Sequence, residues 1–361
     1  MKTILLLGGT GAMGTHLGQI LAQRGDKVTI TSRAPRAPSA NIEYILGNAK
    51  DEIFLKSILN RRWDAIVDFM VYTTPAFTQR APMLLSATDQ YIYLSSARVY
   101  AESSHPIVEE SPRLLDTIGD HQYLATDEYA LAKARQEDAL RQLGRTNWTI
   151  IRPYITYSEQ RLQLGILEKE GWLYRALRGR AIVFSQDVAQ KRTTLTHGFD
   201  VSASIALLIG KSEALGQTFH ITQPESKTWH EILELYLDVI EAHLGSRPKV
   251  RLLGLDDFAQ CKRAEYQTKY DRLYDRVFDN GKIAAAAGVQ HLKAPEQGLA
   301  ESLQQFLRKP DFQKIDWRSE AIKDRYSGEV ARLSEISDLQ QIIKYLYYRF
   351  VQIRTSKAVN L

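Results

Sequence analysis

The sequence contains a single cysteine, Cys261, among its 361 residues. One cysteine cannot form an intrachain disulfide or a cysteine-based metal cluster, so we expect neither, and a reducing cytoplasmic location fits. Long apolar runs are also missing, since no segment approaches the roughly 20 residues that a membrane-spanning helix needs. The short apolar run at residues 1–7 ends in glycines rather than at a small-residue cleavage site, which indicates a strand rather than a signal peptide.

Charge of one sign is not concentrated in any segment. The chain has 47 Lys and Arg against 42 Asp and Glu, a formal net charge of +5 and an isoelectric point near 9.0. Because the cations are interleaved with acids along the chain, this indicates a mildly basic surface rather than a nucleic-acid binding patch. Such a surface would also suit an anionic nucleotide substrate.

Short apolar runs alternate with longer helical patterns through the first half of the sequence. The predicted strands are residues 3–7, 27–31, 42–46, 65–70, 91–95 and 149–152. Runs without a polar face, separated by helices, are typical of parallel strands covered on both sides. The sequence therefore predicts an α/β fold with a Rossmann-type doubly wound parallel sheet, a smaller mixed substrate lobe and C-terminal helices.

The second half has a less regular pattern, from which three domains are predicted. A strand at 219–222 should rejoin the sheet, and a helix at 229–244 should begin at Thr228, with Glu231 completing a capping box. Residues 1–152 form the predicted dinucleotide-binding domain, residues 153–308 the substrate lobe and residues 309–361 a helical extension. Lys309-Pro310 marks the start of the extension.

The last predicted helix is amphipathic. Its apolar residues recur at spacings of three and four, at Ile336, Leu339, Ile343, Leu346 and Phe350. This stripe favours packing against its own domain; contact between subunits of a homodimer is an alternative. A membrane-surface helix is another, because cations flank its tyrosines. Those cations are Lys344, Arg349, Arg354 and Lys357.

A glycine-rich turn follows the first predicted strand and precedes the first helix. The segment Gly8-Gly9-Thr10-Gly11-Ala12-Met13-Gly14 contains both G-x-G-x-x-G and G-x-x-G-x-x-G. Glycines at these spacings let the backbone approach a pyrophosphate at the positive end of a helix. A dinucleotide cofactor is therefore predicted here, held by Gly8, Thr10, Gly11, Ala12, Met13 and Gly14.

The end of the second strand indicates which dinucleotide is bound. An acid at this point would accept hydrogen bonds from the ribose hydroxyls of NAD, but the chain has Thr31-Ser32-Arg33. Without a carboxylate to repel a 2′-phosphate, and with Ser32 and Arg33 able to bind one, NADP is favoured over NAD.

Two further motifs carry chemistry. Tyr129 and Lys133 are four residues apart, so on a helix they share one face, where the ammonium can lower the pKa of the phenol. The run that ends in Ser95-Ser96 lies before them in the sequence. A serine hydroxyl at this strand end can hold a substrate oxygen between itself and the phenol.

Together these motifs resemble the extended short-chain dehydrogenase/reductase family, which includes sugar-nucleotide epimerases, dehydratases and reductases. The resemblance covers about residues 1 to 240. It implies that Tyr129 is the general acid/base, that Lys133 lowers its pKa and binds the nicotinamide ribose, and that Ser96 orients the substrate. Ser95 is then structural.

The resemblance implies four further binding residues. Pro153, in an Arg-Pro pair, and Phe69 would lie near the cofactor. Asn48 would lie near its adenine, in place of an acid of the family, while Asp51 is better explained as a helix cap. Arg192 would contact a substrate diphosphate, although the element around it is one residue longer than in the family.

Two departures from the family pattern affect the choice of reaction. The fourth strand ends in Asp68-Phe69-Met70-Val71-Tyr72 instead of a His-x-Ala-Ala-like segment, which resembles an atypical branch containing chloroplast stem-loop RNA-binding proteins. Ala97-Arg98 replaces the Asp-Glu pair that dehydratases need for elimination, so dehydration is disfavoured.

The predicted activity is hydride transfer at a sugar hydroxyl or keto carbon, with NAD(P) as cofactor and a nucleotide sugar as substrate. Epimerase and reductase stay open, because the NADP-like second strand favours a reductase and the frequency of activities in the family favours an epimerase. The alternative from another class is a non-catalytic nucleotide-binding or RNA-binding protein. No metal and no nucleic-acid partner are expected for the enzyme.

Overall fold

The computed structural model of the protein describes residues 1–351. Its first half contains the strands β1 (Thr3–Leu7), β2 (Lys27–Ser32), β3 (Ile42–Leu46), β4 (Trp63–Asp68), β5 (Thr88–Leu94), β6 (Trp148–Pro153) and β7 (Ile155–Tyr157). The helices of this half are α1 (Ala12–Gln23), α2 (Glu52–Ile58), α3 (Thr74–Ser86), α4 (Leu114–Thr117), α5 (His121–Leu124) and α6 (Tyr129–Gln142).

The second half has shorter strands and more helices. Its strands are β8 (Ile182–Ser185), β9 (Arg192–Thr193), β10 (Leu195–His197), β11 (Gln217–Ile221), β12 (Lys227–Thr228) and β13 (Val250–Leu253). Its helices are α7 (Lys169–Ala176), α8 (Gln186–Ala189), α9 (Gly198–Leu208), α10 (Trp229–Leu244), α11 (Leu255–Cys261), α12 (Glu265–Gln267), α13 (Gly281–Ala287), α14 (Pro295–Arg308), α15 (Trp317–Ser327) and α16 (Leu339–Phe350).

Seven strands form one parallel sheet in the order β11-β6-β5-β4-β1-β2-β3. The chain starts at the centre, builds outward to β3 and then crosses back over β1 to β4, so the sheet is doubly wound. Leu5 of β1 is paired with Thr29 on one side and Ile66 on the other. The predicted fold class is therefore confirmed, including the late strand that rejoins the sheet.

Both faces of the sheet are covered by helices. Alternate residues of each strand point to opposite faces, so Ile4 and Leu6 belong to one buried cluster and Leu5 and Leu7 to the other. The first cluster includes apolar residues of α1, α9 and α13, and the second includes residues of α2, α3 and α6. This double cover explains why the strands lack a polar face.

Parallel strands bring their carboxyl ends to one edge of the sheet. The glycine turn follows β1 there, Asp68 ends β4, Ser95 follows β5 and Pro153 ends β6. In doubly wound sheets ligands bind outside this edge, at the point where the strand order reverses. The fold thus gathers the motifs of the sequence at one edge.

Contacts divide the chain into two units that interleave along the sequence. The first contains residues 1–160, 192–227 and 274–299, and the second contains residues 161–191, 228–273 and the described residues from 300 onward. This differs from the contiguous segments 1–152, 153–308 and 309–361, because β11 returns to the sheet and Ile283 joins one of its cores. As functional domains those segments stay a prediction.

The prediction for β4 lies two residues too far along the chain, since the strand ends at Asp68 rather than at residue 70. The Asp68 carboxylate accepts a 2.9 Å hydrogen bond from the backbone N–H of Met70, so a side chain supplies the turn. At α10 the prediction is confirmed. The capping box of Thr228 and Glu231 is present, and Gly245 ends the helix in the left-handed conformation.

The apolar stripe of α16 is the clearest disagreement with the sequence. Leu339 is 70% exposed and Phe350 is 62% exposed, and Ile343 is exposed as well. The inward side instead carries Tyr345, whose hydroxyl donates 2.6 Å to the buried Asp324. Ile336 of the predicted stripe is buried in a core cluster, but it precedes α16. For the stripe residues on α16 itself, the expectation of packing against their own domain was wrong, because a buried polar anchor sets the face of the helix.

Contact between subunits and binding at a membrane surface stay predictions for this helix. Of the four cations named for it, Lys344 and Arg349 lie on α16, while Arg354 and Lys357 lie outside the described residues. Each helix within residues 1–351 is too short or too polar to cross a membrane.

Candidate active site

The glycine turn after β1 is built so that side chains are excluded at several positions. Gly8 has a φ of +68° and donates its N–H to the Thr31 hydroxyl at 2.9 Å. A Cβ on Gly8 would lie 2.6 Å from the sulfur of Met70, and one on Gly14 would collide with the backbone of Gly9. These two glycines are therefore required by the packing of the turn itself.

Gly11 is different, because a Cβ placed there would meet no protein atom within 4 Å. Gly11 is also the N-cap of α1, with no side chain capping the helix and no acid in its first turn. The first N–H groups of α1, from Ala12 and Met13 onward, lack intrahelical acceptors and carry the positive end of the helix dipole. The turn therefore fits an anionic pyrophosphate, and with it a dinucleotide.

A cavity of about 280 Å³ lies beside the turn. Its described lining residues include two cations, Arg33 and Lys50, and no carboxylate. The predicted residues Gly8, Thr10, Arg33 and Asn48 all line this cavity. These are the surroundings that a phosphate on the adenosine ribose would need.

Ser32 is placed less favourably than Arg33 for a contact with the 2′-phosphate of the cofactor. Its side chain is buried, and its hydroxyl donates 2.6 Å to the carbonyl of Ala34 and accepts from the Ala34 N–H at 3.3 Å. The hydroxyl therefore stabilises its own turn, and Ser32 is not among the described lining residues of the cavity. A contact with the cofactor stays a prediction for Ser32.

The Asn48 segment is ordered by its own hydrogen bonds. The side-chain oxygen of Asn48 accepts from the Lys50 N–H at 3.0 Å. Asp51 is the N-cap of α2 and accepts from the Phe54 N–H at 2.8 Å. The interpretation of Asp51 as a helix cap is confirmed.

The paired serines after β5 have separate partners. Ser95 donates 2.5 Å to the buried Glu137 of α6. Ser96 accepts 3.2 Å from the Arg98 N–H and begins the 3₁₀ helix Ala97–Val99. Ser95 is thus structural, as expected, and the hydroxyl proton of Ser96 can be donated to another acceptor.

Tyr129 and Lys133 lie in the first two turns of α6. Glu128 caps the helix through the Ala130 N–H at 2.8 Å, which places Tyr129 in its first turn. The Nζ atom of Lys133 lies 5.9 Å from the centroid of the Tyr129 ring. Tyr129 is 37% exposed whereas Lys133 is 3% exposed, so the phenol faces the open edge and the ammonium supports it from within.

The environment of Lys133 is unusual for an ammonium group. Burial lowers the pKa of Lys133 to about 8, against the opposing fields of Asp68 and Glu137. The ammonium donates 2.6 Å to the carbonyl of Leu94 and lies 4.6 Å from the centroid of the Tyr93 ring. A lysine that changes charge near neutral pH beside an exposed phenol is suited to acid–base chemistry.

A buried ion pair holds α6 against the sheet. Arg152 of β6 donates to Glu137 through Nε at 2.8 Å and Nη2 at 2.5 Å, and Nη1 donates to the carbonyl of Glu109 at 2.9 Å. Glu137 was not predicted from the sequence, where its spacing of four residues from Lys133 was the available signal.

Arg98, which from the sequence counted only as a departure from the dehydratase pattern, lies beside Tyr129. Its guanidinium lies 2.8 Å from the carboxylate of Glu128 and 5.4 Å from the centroid of the Tyr129 ring. Glu128 therefore both caps α6 and pairs with Arg98, whose guanidinium lies beside the Tyr129 ring. Arg98 occupies the place where dehydratases carry an acid, so the local charge is opposite.

The other predicted binding residues lie at different places. Phe69 directly follows β4 and packs against one of the cores, and Pro153 ends β6. Arg192 is exposed, and its guanidinium donates to the carbonyl and hydroxyl oxygens of Ser226 at 2.7 and 2.8 Å. The proposed contacts of these residues with cofactor or diphosphate stay predictions.

Metal chemistry was not expected from the sequence. Within residues 1–351, no group of three or more His, Cys, Asp or Glu residues is arranged to hold a metal ion. Cys261 is buried, which raises the pKa of its thiol to about 12.

Comparison with known proteins identifies relatives of the chain. The sequence profile of the NAD dependent epimerase/dehydratase family matches residues 4–221. The chloroplast stem-loop binding protein of 41 kDa b from Arabidopsis thaliana is 29% identical over 242 residues, which cover 61% of this chain and 58% of that protein. UDP-glucose 4-epimerase from Erwinia amylovora is 27% identical over 175 residues, covering 40% and 49%. The chain thus spans about half the length of these curated relatives.

Solved structures share the fold at low sequence identity. The Bordetella bronchiseptica enzyme WbmH, in complex with NAD+, has a TM-score of 0.65 and 17% identity, covering 86% of this chain and 99% of that one. UDP-glucuronic acid 4-epimerase from Bacillus cereus, in complex with UDP-glucuronic acid and NAD, has a TM-score of 0.63 and 14% identity, with coverages of 85% and 99%. Identities this low show a common fold.

Proposed function

The chain belongs to the NAD-dependent epimerase/dehydratase family, and we propose that it catalyses reversible hydride transfer at a hydroxyl or keto carbon of a nucleotide sugar. One observation carries the proposal: α6 presents Tyr129 above the buried Lys133 at the sheet edge where the glycine turn also lies. A binding protein that performs no chemistry has no need of a buried ammonium beneath an exposed phenol.

Each residue of this site has a distinct proposed role. Tyr129 takes the proton from a substrate hydroxyl, or returns it to a keto oxygen, and the Lys133 ammonium stabilises the phenolate form. Ser96 donates its hydroxyl proton to the same substrate oxygen and so orients the reacting carbon. When bound, NAD(P) supplies or accepts the hydride.

We propose NADP as the preferred form of the cofactor. Arg33 and Lys50 line the cavity beside Gly8, and both can form charge-assisted hydrogen bonds to a 2′-phosphate. NAD needs an acceptor for its ribose hydroxyls, and no carboxylate is present among the described lining residues to serve as one. The support rests on Arg33 and Lys50 rather than on Ser32.

Epimerase and reductase are the two reactions that fit this site. Elimination of water would need an added acid and base beside Tyr129, whereas Ala97 and Arg98 occupy those positions. The two reactions differ in cofactor stoichiometry. A reductase consumes one reduced cofactor for each product formed, and an epimerase returns the hydride and consumes none.

The proposal is tested by identifying what the protein binds and converts. Mass spectrometry of the purified protein should detect retained NAD(P), and nucleotide sugars incubated with enzyme and cofactor should yield an epimer or a reduced product. The product should form at least about 100-fold more slowly with Tyr129→Phe. Absence of any NAD(P) binding by the wild-type protein would contradict the proposal at its first step.

RNA binding is the second candidate function. It is favoured by the 29% identity to the chloroplast stem-loop binding protein and by the isoelectric point near 9.0. A stem-loop RNA should then bind with an affinity that falls steeply with salt and is unchanged in Tyr129→Phe. Weak binding that does not discriminate a stem-loop from a single strand would argue against this function.

A further inference from the structure

A fully buried carboxyl group, that of Asp68, lies at the end of β4 and has no part in the chemistry proposed above. It accepts hydrogen bonds from the Tyr91 hydroxyl at 2.8 Å, the Met70 N–H at 2.9 Å and the Tyr72 hydroxyl at 3.2 Å. All three donors are neutral groups. Donors directed at both oxygens stabilise the charged form of a carboxyl group against the cost of burial.

Asp68 is paired with Tyr93 in the register of β4 and β5, so the two side chains lie on the same face of the sheet. The rings of Tyr91 and Tyr93 stack with centroids 6.5 Å apart, and the Lys133 ammonium lies 4.6 Å from the centroid of the Tyr93 ring. Burial raises the pKa of Asp68, and the field of Lys133 opposes this rise. The two buried groups therefore favour each other's charged forms.

Glu137 is the other carboxylate whose field reaches Lys133, but its charge is already compensated. It is paired with Arg152, and Arg141 and Arg113 also lie within 3.7 Å. Three cations around one carboxylate leave little net negative potential at the lysine. Asp68 accepts from neutral donors only, so no neighbouring cation offsets its field in this way.

We propose that Asp68 is a positioning residue, whose buried carboxylate keeps the Lys133 ammonium charged beneath Tyr129. The effect of Asp68 on catalysis rests on the proposed function. The effect on Lys133 itself is a property of the folded protein and can be measured without turnover. Without the carboxylate, Lys133 would lose its proton at lower pH. The neutral amine would no longer stabilise the Tyr129 phenolate, so activity would be lost first at alkaline pH.

The groups around the two residues define what else could affect the titration. Asp68 faces Tyr72 and Tyr91, and the Arg80 guanidinium lies 5.3 Å from the centroid of the Tyr72 ring. Lys133 faces Tyr93, Tyr129, Asp68 and Glu137. An amide at position 68 keeps the shape of the carboxyl group, and the hydroxyls of Tyr91 and Tyr72 then accept from its NH2 group instead of donating to an oxygen.

Asp68→Asn is the decisive variant, because an amide has the size of the carboxylate and keeps an acceptor for the Met70 N–H. NMR of protein labelled with ¹⁵N-lysine follows the Lys133 Nζ resonance with pH, assigned by its loss in Lys133→Met. We expect the titration midpoint of Lys133 to fall by about one pH unit in Asp68→Asn, as is typical for loss of a nearby opposite charge. The alkaline limb of the pH–activity profile should move by the same amount.

Asp64→Asn is the matched control on the same strand. Asp64 accepts its hydrogen bonds from the backbone N–H and hydroxyl of Thr3, at the opposite end of β4. This variant should leave the Lys133 midpoint unchanged. Tyr91→Phe removes the shortest donor to Asp68 and should lower the Lys133 midpoint by a smaller amount.

The outcomes separate this inference from the proposed function. An unchanged Lys133 midpoint in both Asp68→Asn and Tyr91→Phe overturns the role of Asp68, whatever the activity of these variants. A lowered midpoint in a protein that converts no substrate supports the coupling of Asp68 to Lys133 and contradicts the proposed function instead.

Discussion

The Nζ atom of Lys133 donates a 2.6 Å hydrogen bond to the carbonyl oxygen of Leu94, the last residue of β5. This bond ties the first turns of α6 to the edge of the sheet. Because Tyr129 is one helical turn earlier, the same bond fixes the position of its phenol relative to Ser96, which follows β5. The distance between Tyr129 and Ser96 is thus set by the fold before any substrate binds.

Removal of the phenol hydroxyl tests the acid–base role. We expect Tyr129→Phe to lower kcat by about 10²- to 10⁴-fold, the range for loss of a general acid/base, with unchanged NAD(P) affinity. Steady-state kinetics and fluorescence titration of the reduced cofactor measure the two quantities. Tyr347→Phe alters an exposed tyrosine of α16 and should behave as wild type. Turnover by Tyr129→Phe at the wild-type rate would exclude the proposed chemistry.

Arg33 tests the preference for NADP. A guanidinium bound to a phosphate contributes about 1.5–3 kcal/mol, so Arg33→Ala should weaken NADP binding by roughly 10- to 100-fold and leave NAD binding nearly unchanged. Isothermal titration with each cofactor gives both values. Arg36→Ala is the control, since Arg36 is exposed nearby but does not line the cavity. Equal losses for both cofactors would show that Arg33 does not recognise the 2′-phosphate.

The parts of the site that could be predicted from sequence are those set by local pattern. The glycine turn needs only a strand before it and a helix after it, and the shared face of Tyr129 and Lys133 follows from helical spacing. Strands β1 and β3 have the bounds that their apolar runs predicted. In each case residues close in sequence determine the geometry.

What could not be predicted depends on contacts between distant residues. The ion pair of Glu137 and Arg152 joins α6 to β6. Its contribution to stability depends on the burial of both residues, which no local sequence pattern predicts. On α16 one hydrogen bond from Tyr345 to a residue of α15 outweighs a regular apolar stripe. Long-range polar contacts thus decided the points where patterns failed.

The ion pair of Glu137 and Arg152 predicts a dependence of stability on pH. Burial alone would raise the pKa of Glu137, but Arg152 and the Ser95 hydrogen bond more than offset it, so the pKa lies below 4.5. The pair therefore stabilises the protein fully above pH 4.5, and this contribution is lost as the pH falls through the lower folded pKa. Glu137→Gln leaves Arg152 buried without a counterion and should lower the free energy of unfolding by about 3 kcal/mol at pH 7.

Urea unfolding at several pH values measures this contribution. The difference between wild type and Glu137→Gln should shrink as the pH falls from 4.5 through the lower folded pKa, because the wild-type carboxylate becomes protonated over this range. Glu52→Gln removes an exposed partner of Lys56 and should change stability little at any pH. A difference that grows toward acid pH would mean that the folded protein does not favour the charged form of Glu137.

Gly11 and Gly14 offer a test in which folding and cofactor binding separate. Gly14→Ala would drive a Cβ into the backbone of Gly9, so we expect a lower melting temperature. Gly11→Ala adds a methyl group where no protein atom lies within 4 Å, at a φ of −80° that alanine adopts readily. It should therefore melt like wild type yet bind NAD(P) at least about 10-fold more weakly, because the methyl group occupies the path of the pyrophosphate. Thermal unfolding and cofactor titration on both variants measure the two effects. Wild-type affinity in Gly11→Ala would place the pyrophosphate elsewhere, whereas lost affinity with unchanged melting would locate it at the open side of this glycine.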